Sequence, residues 1–377
     1  MTAGGAFTRS LPGRYYHDPA IHKQEQERIF SAVWVAVGRA SSVAAPGQFL
    51  HVSLGGERVL IVRGRDGEVR AMLGVCRHRG ARLCTEAAGR LEGSIRCKYH
   101  GWTYGLDGRL LGAPHAQGQE GFDRERFGLV PVALEIWEGF LWLNLSTSSV
   151  DAEGTAPRPA VSLQAQLAEQ RLDQLAVWAR YRLGELVSAR TVTYEVKANW
   201  KLVLENFGEC CHCGPVHPEL CERLPAYRHA IISSTVEGGT AFAPGLEGFS
   251  MSGKATAPVL GGLTEADHRR YHGIVLMPNL MVNLLPDHVV THTMWPESAD
   301  RTRIVCDWLY DPRAIATEGF DPTDATALFD LVNRQDWEVC ELAQQGMTSR
   351  AYRDGGLFMP REHELGVVRE FVERRLA

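Results

Sequence analysis

Two short segments, Cys76-Arg77-His78 and Cys97-Lys98-Tyr99-His100, constrain this chain more than anything else in it. Each supplies one thiol and one imidazole, and eighteen residues separate His78 from Cys97. A stretch of that length can leave one tight turn, make a β excursion and return beside the first. Two cysteines and two histidines fit either a tetrahedral zinc or a [2Fe–2S] cluster in which one iron takes both thiolates and the other both imidazoles. Zinc fingers group their ligands as a Cys pair and a His pair, the second on a helix. Here each turn carries one ligand of each kind, and the flanking runs, EVRAMLGV and SIRCKY, read as strands. The alternation therefore favours the cluster. Cys84 has no place in the pattern and reads as a buried free thiol.

A second constellation lies in NWKLVLENFGECCHCGPVHP, which starts at Asn199. Read as a helix, it carries an apolar stripe of Trp200, Val203, Leu204, Phe207 and Cys211, and it groups Glu205, Glu209 and His212 on another face. Gly214-Pro215 should end that helix and leave His217 free to turn back beside His212. Two such histidines need one carboxylate to complete the 2-His-1-carboxylate site of non-haem Fe(II) oxygenases, which keeps positions open for O2. The donor is expected in the helix PTDATALFDLVNRQDWEVCELAQQ, where periodicity separates two neighbours. Asp336 has Val332 four residues before it and Val339 and Cys340 just after, the inward side; Glu338 lies with Arg334, Gln335 and Glu341 on a solvated face. A carboxylate on an apolar stripe must be paired or metal-bound, so Asp336 is chosen. Taken alone, His212 and His217 would read as helix-end residues. A zinc knot of Cys210, Cys211, His212 and Cys213 is disfavoured because adjacent ligands on a helix point apart.

The composition of the chain fits an ordinary soluble globular protein. Among 377 residues, 45% are hydrophobic and 23% charged, and the net charge of -5 leaves no footprint for nucleic acid or an anionic membrane. No apolar run approaches a bilayer span and the N-terminus lacks a signal-peptide core, so a cytoplasmic location is expected. An odd count of nine cysteines in that compartment disfavours disulfides. A helical pattern occupies 14–39, short β runs with turns at Gly55-Gly56, Asp66-Gly67 and Asp107-Gly108 follow, and FLWLNL closes the β-rich section. A Pro/Ala/Ser-rich stretch at 147–162 reads as a linker. Beyond it, strands are expected in YRLGELVSARTVTYEVKA and GIVLMPNLMVNLLPDHVVTHTMWP, and a terminal helix in HELGVVREFVERRL.

C-R-H-R-G-A-R-L followed by C-K-Y-H-G-W-T-Y-G-L-D-G-R-L strongly resembles the cluster loops of Rieske non-haem iron oxygenases. E-N-F-G-E-C-C-H-C-G-P-V-H-P resembles that family's mononuclear-iron motif, with Glu209 where most members have Asp, as in the branch acting on betaines and carnitine. With YYHDPAIHKQEQERIF near the front, the likeness covers nearly the whole chain.

The resemblance implies an α+β fold: an N-terminal helical segment over 1–45 packing on the catalytic domain, a small all-β Rieske domain over 46–150, and a catalytic domain over 151–377 with an antiparallel sheet and helices of the helix-grip kind. It implies a [2Fe–2S] cluster on Cys76, His78, Cys97 and His100, with Gly80 and Gly101 letting backbone amides approach the sulfurs. It implies a mononuclear Fe(II) on His212, His217 and Asp336, with Asn206 beside them. Glu209 would link the cluster of one subunit to the iron of the next in a head-to-tail homotrimer, the metals within one subunit being too far apart. O2 would be the co-substrate, and a separate flavin/iron–sulfur reductase would bring electrons from NAD(P)H. The implied activity is hydroxylation or oxidative demethylation of a small molecule, of betaine type on the motif; ring hydroxylation of an aromatic is the alternative and a non-catalytic electron-transfer protein the remote one. A quaternary ammonium would want an aromatic cage, for which Phe207, Phe242, Phe249, Tyr271, Trp295 and Trp308 are available. His288 and His292 are pocket or core residues.

Overall fold

The computed structural model describes residues 7–116, 119–146, 159–233, 238–362 and 364–377, apart from the side chains of 171–176. The expected linker lies outside the described residues over 147–158, as does His363 at the head of the expected terminal helix, which runs Leu365–Leu376. The chain forms two compact units, one of Gln26–Gln166 and the other of the residues through Glu25 together with Leu167–Ala377.

The first unit is built on an antiparallel sheet of seven strands. Their order is Val35–Arg39, Phe140–Asn144, Pro131–Trp137, Val69–Leu73, Glu57–Arg63, Gln48–Leu54 and Ala88–Arg90. A second sheet pairs Ser94–Arg96, Thr103–Gly105 and Leu110–Gly112. The excursion between the two Cys–His turns thus pairs Ala88–Arg90 with the large sheet and Ser94–Arg96 with the small one. The helical pattern over 14–39 holds only to Phe30. Val35–Arg39 is a strand paired with Phe140–Asn144, because its buried β-branched Val35 and Val37 suit a pleated core face better than a helix.

The second unit carries an antiparallel sheet ordered Val187–Val196, Arg301–Tyr310, Val289–Ser298, Leu280–Leu284, Arg270–Leu276 and Thr240–Ala241. The 24-residue helix Thr323–Gly346 lies against it, as the helix-grip expectation requires. Trp337 meets the Tyr194 ring at 6.0 Å and the His292 ring at 6.4 Å, and Phe329 meets Trp308 at 6.4 Å. His292 Nε2 donates to Asn333 Oδ1 at 3.0 Å. These contacts fix which side of the helix turns inward, and Asp336 lies beside Trp337 on it.

The helix expected over 199–212 is shorter than its periodicity suggested. It runs Trp200–Phe207, opened by Asn199, whose side chain accepts from the Lys201 N–H at 3.0 Å. It ends at Gly208, which sits close under Leu365. Beyond Gly208 the Glu209 carboxylate accepts the Cys211 N–H, a local bond that competes with continuing the helix. Glu205, Glu209 and His212 therefore share no helical face, and Gly214 and Pro215 sit inside a new turn, Cys213–Val216, rather than ending the old one.

A buried polar cluster anchors this short helix. Lys201 Nζ lies 2.5 Å from Glu25 Oε1 with both side chains fully buried, and Trp200 Nε1 donates to Glu25 Oε2 at 3.0 Å. Tyr16 donates to Glu205 at 2.8 Å. Burial drives the Glu205 carboxyl up to about 7 against that bond and the nearby Lys201 charge. Glu25→Ala should destabilise the protein by about 3–5 kcal/mol, because it strands the Lys201 ammonium in the interior. Replacing both partners by Leu and Met should come out nearly neutral. Urea midpoints of the two variants check this: equal losses would mean the pair does not act as a unit.

Candidate metal centres

The two Cys–His turns are built alike. The Gly80 N–H bonds back to the Cys76 carbonyl at 3.0 Å, and the Gly101 N–H bonds back to the Cys97 carbonyl at 3.0 Å. These two amides are thus spent on closing the turns rather than aimed at sulfur. Glycine is required for its backbone: φ is 72° at Gly80 and 73° at Gly101, the left-handed region. The turns bring the Cys76 and Cys97 thiols together, each 2% exposed, beside Leu83, Trp102 and Leu110. Burial pushes the Cys76 thiol up, while a 3.3 Å hydrogen bond with the Tyr104 hydroxyl draws it down. The imidazoles face outward: His78 is exposed, His100 partly so, their ring centroids are 4.6 Å apart, and His78 stacks on Trp102 at 4.9 Å. Two thiols in an apolar floor under two solvent-facing imidazoles form the donor set a Rieske cluster takes, one iron on each pair. Cys84 is a buried free thiol.

In the second unit the chain brings His212, His217 and Asp336 together, their ligand atoms within 4.8 Å of one another. Asp336 Oδ1 lies 2.8 Å from His217 Nε2 and 3.2 Å from His212 Nε2. The other ring nitrogens have acceptors of their own: His212 Nδ1 with Glu209 Oε1 at 2.5 Å, and His217 Nδ1 with Gln335 Oε1 at 2.8 Å. Asn206 Nδ2 lies 3.3 Å from His212 Nε2. Burial pulls the His212 imidazole down, but its bonds to Asp336 and Glu209 carry it up to about 9. Burial raises the Asp336 carboxyl, and the two imidazoles bring it below the ordinary range. His212 and Asp336 thus favour each other's charged form, and a divalent cation bound among the trio would take the place of the His212 proton. The donor set fits Fe(II) in the facial 2-His-1-carboxylate arrangement. Glu338 is exposed and outside the trio.

Contrary to the expectation against disulfides, Cys210 and Cys213 form one, their Cα atoms 5.0 Å apart, inside the range a disulfide spans. With two of its donors used, no zinc knot is available there. Cys211 is a free thiol whose ligand atom lies within 4.8 Å of those of Glu209 and Glu362; burial first and the Glu209 charge second push it up to about 11.

The trio opens on a cavity of about 980 Å3. Phe207, Phe249 and Tyr271 of the six cage candidates line it, joined by Tyr227, Phe329 and Trp337, which sequence reasoning did not single out. Phe242 is one ring further back, 5.9 Å from Phe249, while Trp308 is core and Trp295 lies under Arg303. His292 lines the cavity, and burial pulls its imidazole down to about 4, so it is neutral there. His288 is a core residue paired with Asp287 at 2.8 Å and stacked on Tyr310. Arg361 contributes a permanent cation to the wall.

Residues 183–377 match the family of ring hydroxylating alpha subunits (catalytic domain), and residues 33–127 match the Rieske [2Fe–2S] domain. The glycine betaine monooxygenase oxygenase subunit of Chromohalobacter salexigens is 32% identical over 396 residues, covering 97% of this chain and 84% of that protein. The carnitine monooxygenase oxygenase subunit of Acinetobacter baumannii is 29% identical, covering 95% of this chain and 90% of that protein. A solved quaternary ammonium Rieske monooxygenase, described for carnitine oxidation by gut microbiota and inter-subunit electron transfer, matches with a TM-score of 0.73 at 27% identity, over 99% of this chain and 96% of that one.

Proposed function

The chain belongs to the Rieske non-haem iron oxygenases, as the alpha subunit that carries the catalytic domain, and from that premise we propose that it oxidises a small quaternary ammonium compound of the betaine type. It is an oxidoreductase that incorporates O2 and takes its electrons from a separate protein, so the electron-transfer-only reading is set aside. When bound, the cluster relays single electrons and the mononuclear Fe(II) takes up O2 for activation.

In this reading residues 46–150 hold the cluster through Cys76, His78, Cys97 and His100. Residues 151–377 hold the iron through His212, His217 and Asp336, with 1–45 as an N-terminal segment. Glu209 keeps the His212 ring turned so that Nε2 faces the iron position, and Asn206 adjoins the same nitrogen. Glu209 is also read as the link between neighbouring subunits of a head-to-tail homotrimer, a role supported by the relative described for inter-subunit electron transfer. The electron donor is read as an NAD(P)H-dependent flavin/iron–sulfur reductase. A cytoplasmic location is consistent with the described residues, in which no helix is long and apolar enough to cross a membrane.

The observation that carries the substrate reading is the wall of the cavity. Tyr227, Tyr271, Phe249 and Phe329 form a continuous aromatic surface: Tyr227 to Tyr271 is 6.0 Å, Tyr271 to Phe249 5.7 Å, and Phe249 to Phe329 5.3 Å. The same cavity reaches Asp336 and His212. Such faces attract a cation that cannot hydrogen-bond, and Arg361 offers the charge a carboxylate at the other end would need. A desolvated cation–π contact is worth about 2 kcal/mol, roughly 30-fold in apparent affinity. Oxygen uptake with a surrogate reductase should therefore be stimulated by glycine betaine, carnitine or a close analogue at concentrations about 30-fold below any effective aromatic acid. Stimulation by aromatic acids alone would replace this reading with ring hydroxylation.

A further inference from the structure

We infer that Gln335 is a positioning residue of the iron site: its side-chain amide fixes the tautomer of His217, and Glu219 fixes the amide. The inference rests on reading His217 as an iron ligand. His217 is 1% exposed and each of its ring nitrogens has one neighbour, Gln335 Oε1 at 2.8 Å from Nδ1 and Asp336 Oδ1 at 2.8 Å from Nε2. For the neutral ring those distances alone allow two arrangements. In one, Nδ1 carries the proton and Nε2 presents a lone pair to the iron position. In the other, Nε2 carries the proton, donates it to Asp336, and the two ligands close on each other instead of on a metal.

Gln335 decides between them, provided its amide has a defined orientation. Oxygen and nitrogen of an amide have nearly the same shape, so partners must set it. Gln335 Nε2 lies 3.3 Å from Glu219 Oε2. An ionised carboxylate only accepts, so the NH2 end must face Glu219 and the carbonyl end must face His217. A carbonyl also only accepts, and His217 Nδ1 must then carry the proton. In a neutral imidazole that leaves Nε2 bare, aimed where His212 and Asp336 converge. Glu209 does the same for His212 through its own Nδ1. Each imidazole thus has a dedicated acceptor, one a carboxylate and one an amide. Gln335 immediately precedes Asp336, so the segment that bears the carboxylate ligand also orients the imidazole of His217.

Removing a hydrogen-bond partner of a metal-ligating histidine costs roughly 10–100-fold in metal affinity. The test is iron retention under a chelator, with the visible cluster spectrum as the control for folding. Gln335→Leu should release its mononuclear iron at a chelator concentration about 10–100-fold lower than wild type, with the cluster spectrum unchanged. The exchanged pair Q335E/E219Q restores an acceptor at 335 and a donor at 219, and it should regain most of the loss. In protein whose mononuclear site is loaded with Co(II), each ligand imidazole should show an exchangeable, hyperfine-shifted Nδ1–H resonance; that of His217 should be lost to exchange in Q335L and return in the exchanged pair. Wild-type iron retention by Q335L, or an exchanged pair as leaky as Q335L, overturns this inference alone. A wild-type chain that binds no iron beyond the cluster overturns the ligand reading and this inference with it.

Discussion

Asp336→Ala should abolish substrate-dependent oxygen uptake and release the mononuclear iron, while the [2Fe–2S] absorbance stays at its wild-type level. Asp336 Oδ1 is the single atom that both His212 Nε2 and His217 Nε2 approach, at 3.2 and 2.8 Å. Losing a partner of a ligand costs up to about 100-fold in metal affinity, so losing a ligand itself should cost more than that. The cluster should be indifferent, because Asp336 belongs to the unit of Leu167–Ala377 whereas Cys76, His78, Cys97 and His100 belong to Gln26–Gln166. His212→Ala should behave in the same way. Glu338→Ala is the matched control: it lies two residues along the same helix but exposed, and surface substitutions of that kind usually change stability by less than about 0.5 kcal/mol. Iron quantitation, the cluster spectrum and oxygen uptake on the three variants separate the outcomes. An Asp336→Ala protein that keeps its third iron and turns over would remove the triad from the chemistry.

Why Asp336 could be read from sequence and Gln335 could not is a matter of which partners are local. Asp336 announces itself because Val332 and Cys340, one helical turn to either side, are both buried, which leaves a carboxylate facing the core. Gln335 is equally polar and sits beside exposed Arg334, so helical periodicity assigns it to water. Its true partner, His217, is 118 residues away, and no spacing rule reaches that far. The Cys–His turns were legible for the same reason as Asp336: each closes on its own carbonyl within four residues, and a glycine at the left-handed position marks the close.

Where structure and sequence pattern part, the cause is again physical. The apolar stripe of 200–211 continued past Gly208, and nothing in that periodicity shows a carboxylate at 209 taking the Cys211 N–H. Compartment and an odd count argue against disulfides in general, but neither shows that the turn at 209–213 brings the Cα atoms of Cys210 and Cys213 within bridging distance. Strand Arg301–Tyr310, absent from the expected strands, buries Thr302, Ile304, Cys306 and Trp308 in strict alternation, the period-two signal of a half-buried strand.

Glu209→Ala should leave cluster and iron both bound at saturating iron and yet reduce turnover to the rate seen without reductase. The carboxylate already has two duties inside the chain: Oε1 receives the His212 Nδ1–H at 2.5 Å, and Oε2 receives the Cys211 N–H. A carboxylate oxygen has a second lone pair, so either can accept one more donor without giving up the first. Glu209 keeps part of its surface open, 11% of the side chain, and an imidazole N–H from a neighbouring subunit's cluster is the donor our reading supplies. The bridge would then run imidazole to carboxylate to the His212 imidazole, all through hydrogen bonds. Alanine removes the middle of that path. It also removes the His212 orienting bond, which costs roughly 10–100-fold in iron affinity and is compensated by saturating iron. Rapid mixing of fully reduced enzyme with O2 and substrate separates the two effects, because a cluster that can deliver its electron reoxidises with turnover. In Glu209→Ala the reduced cluster should persist while the iron remains in place. Reoxidation at the wild-type rate would assign Glu209 to His212 alone and move the electron path elsewhere.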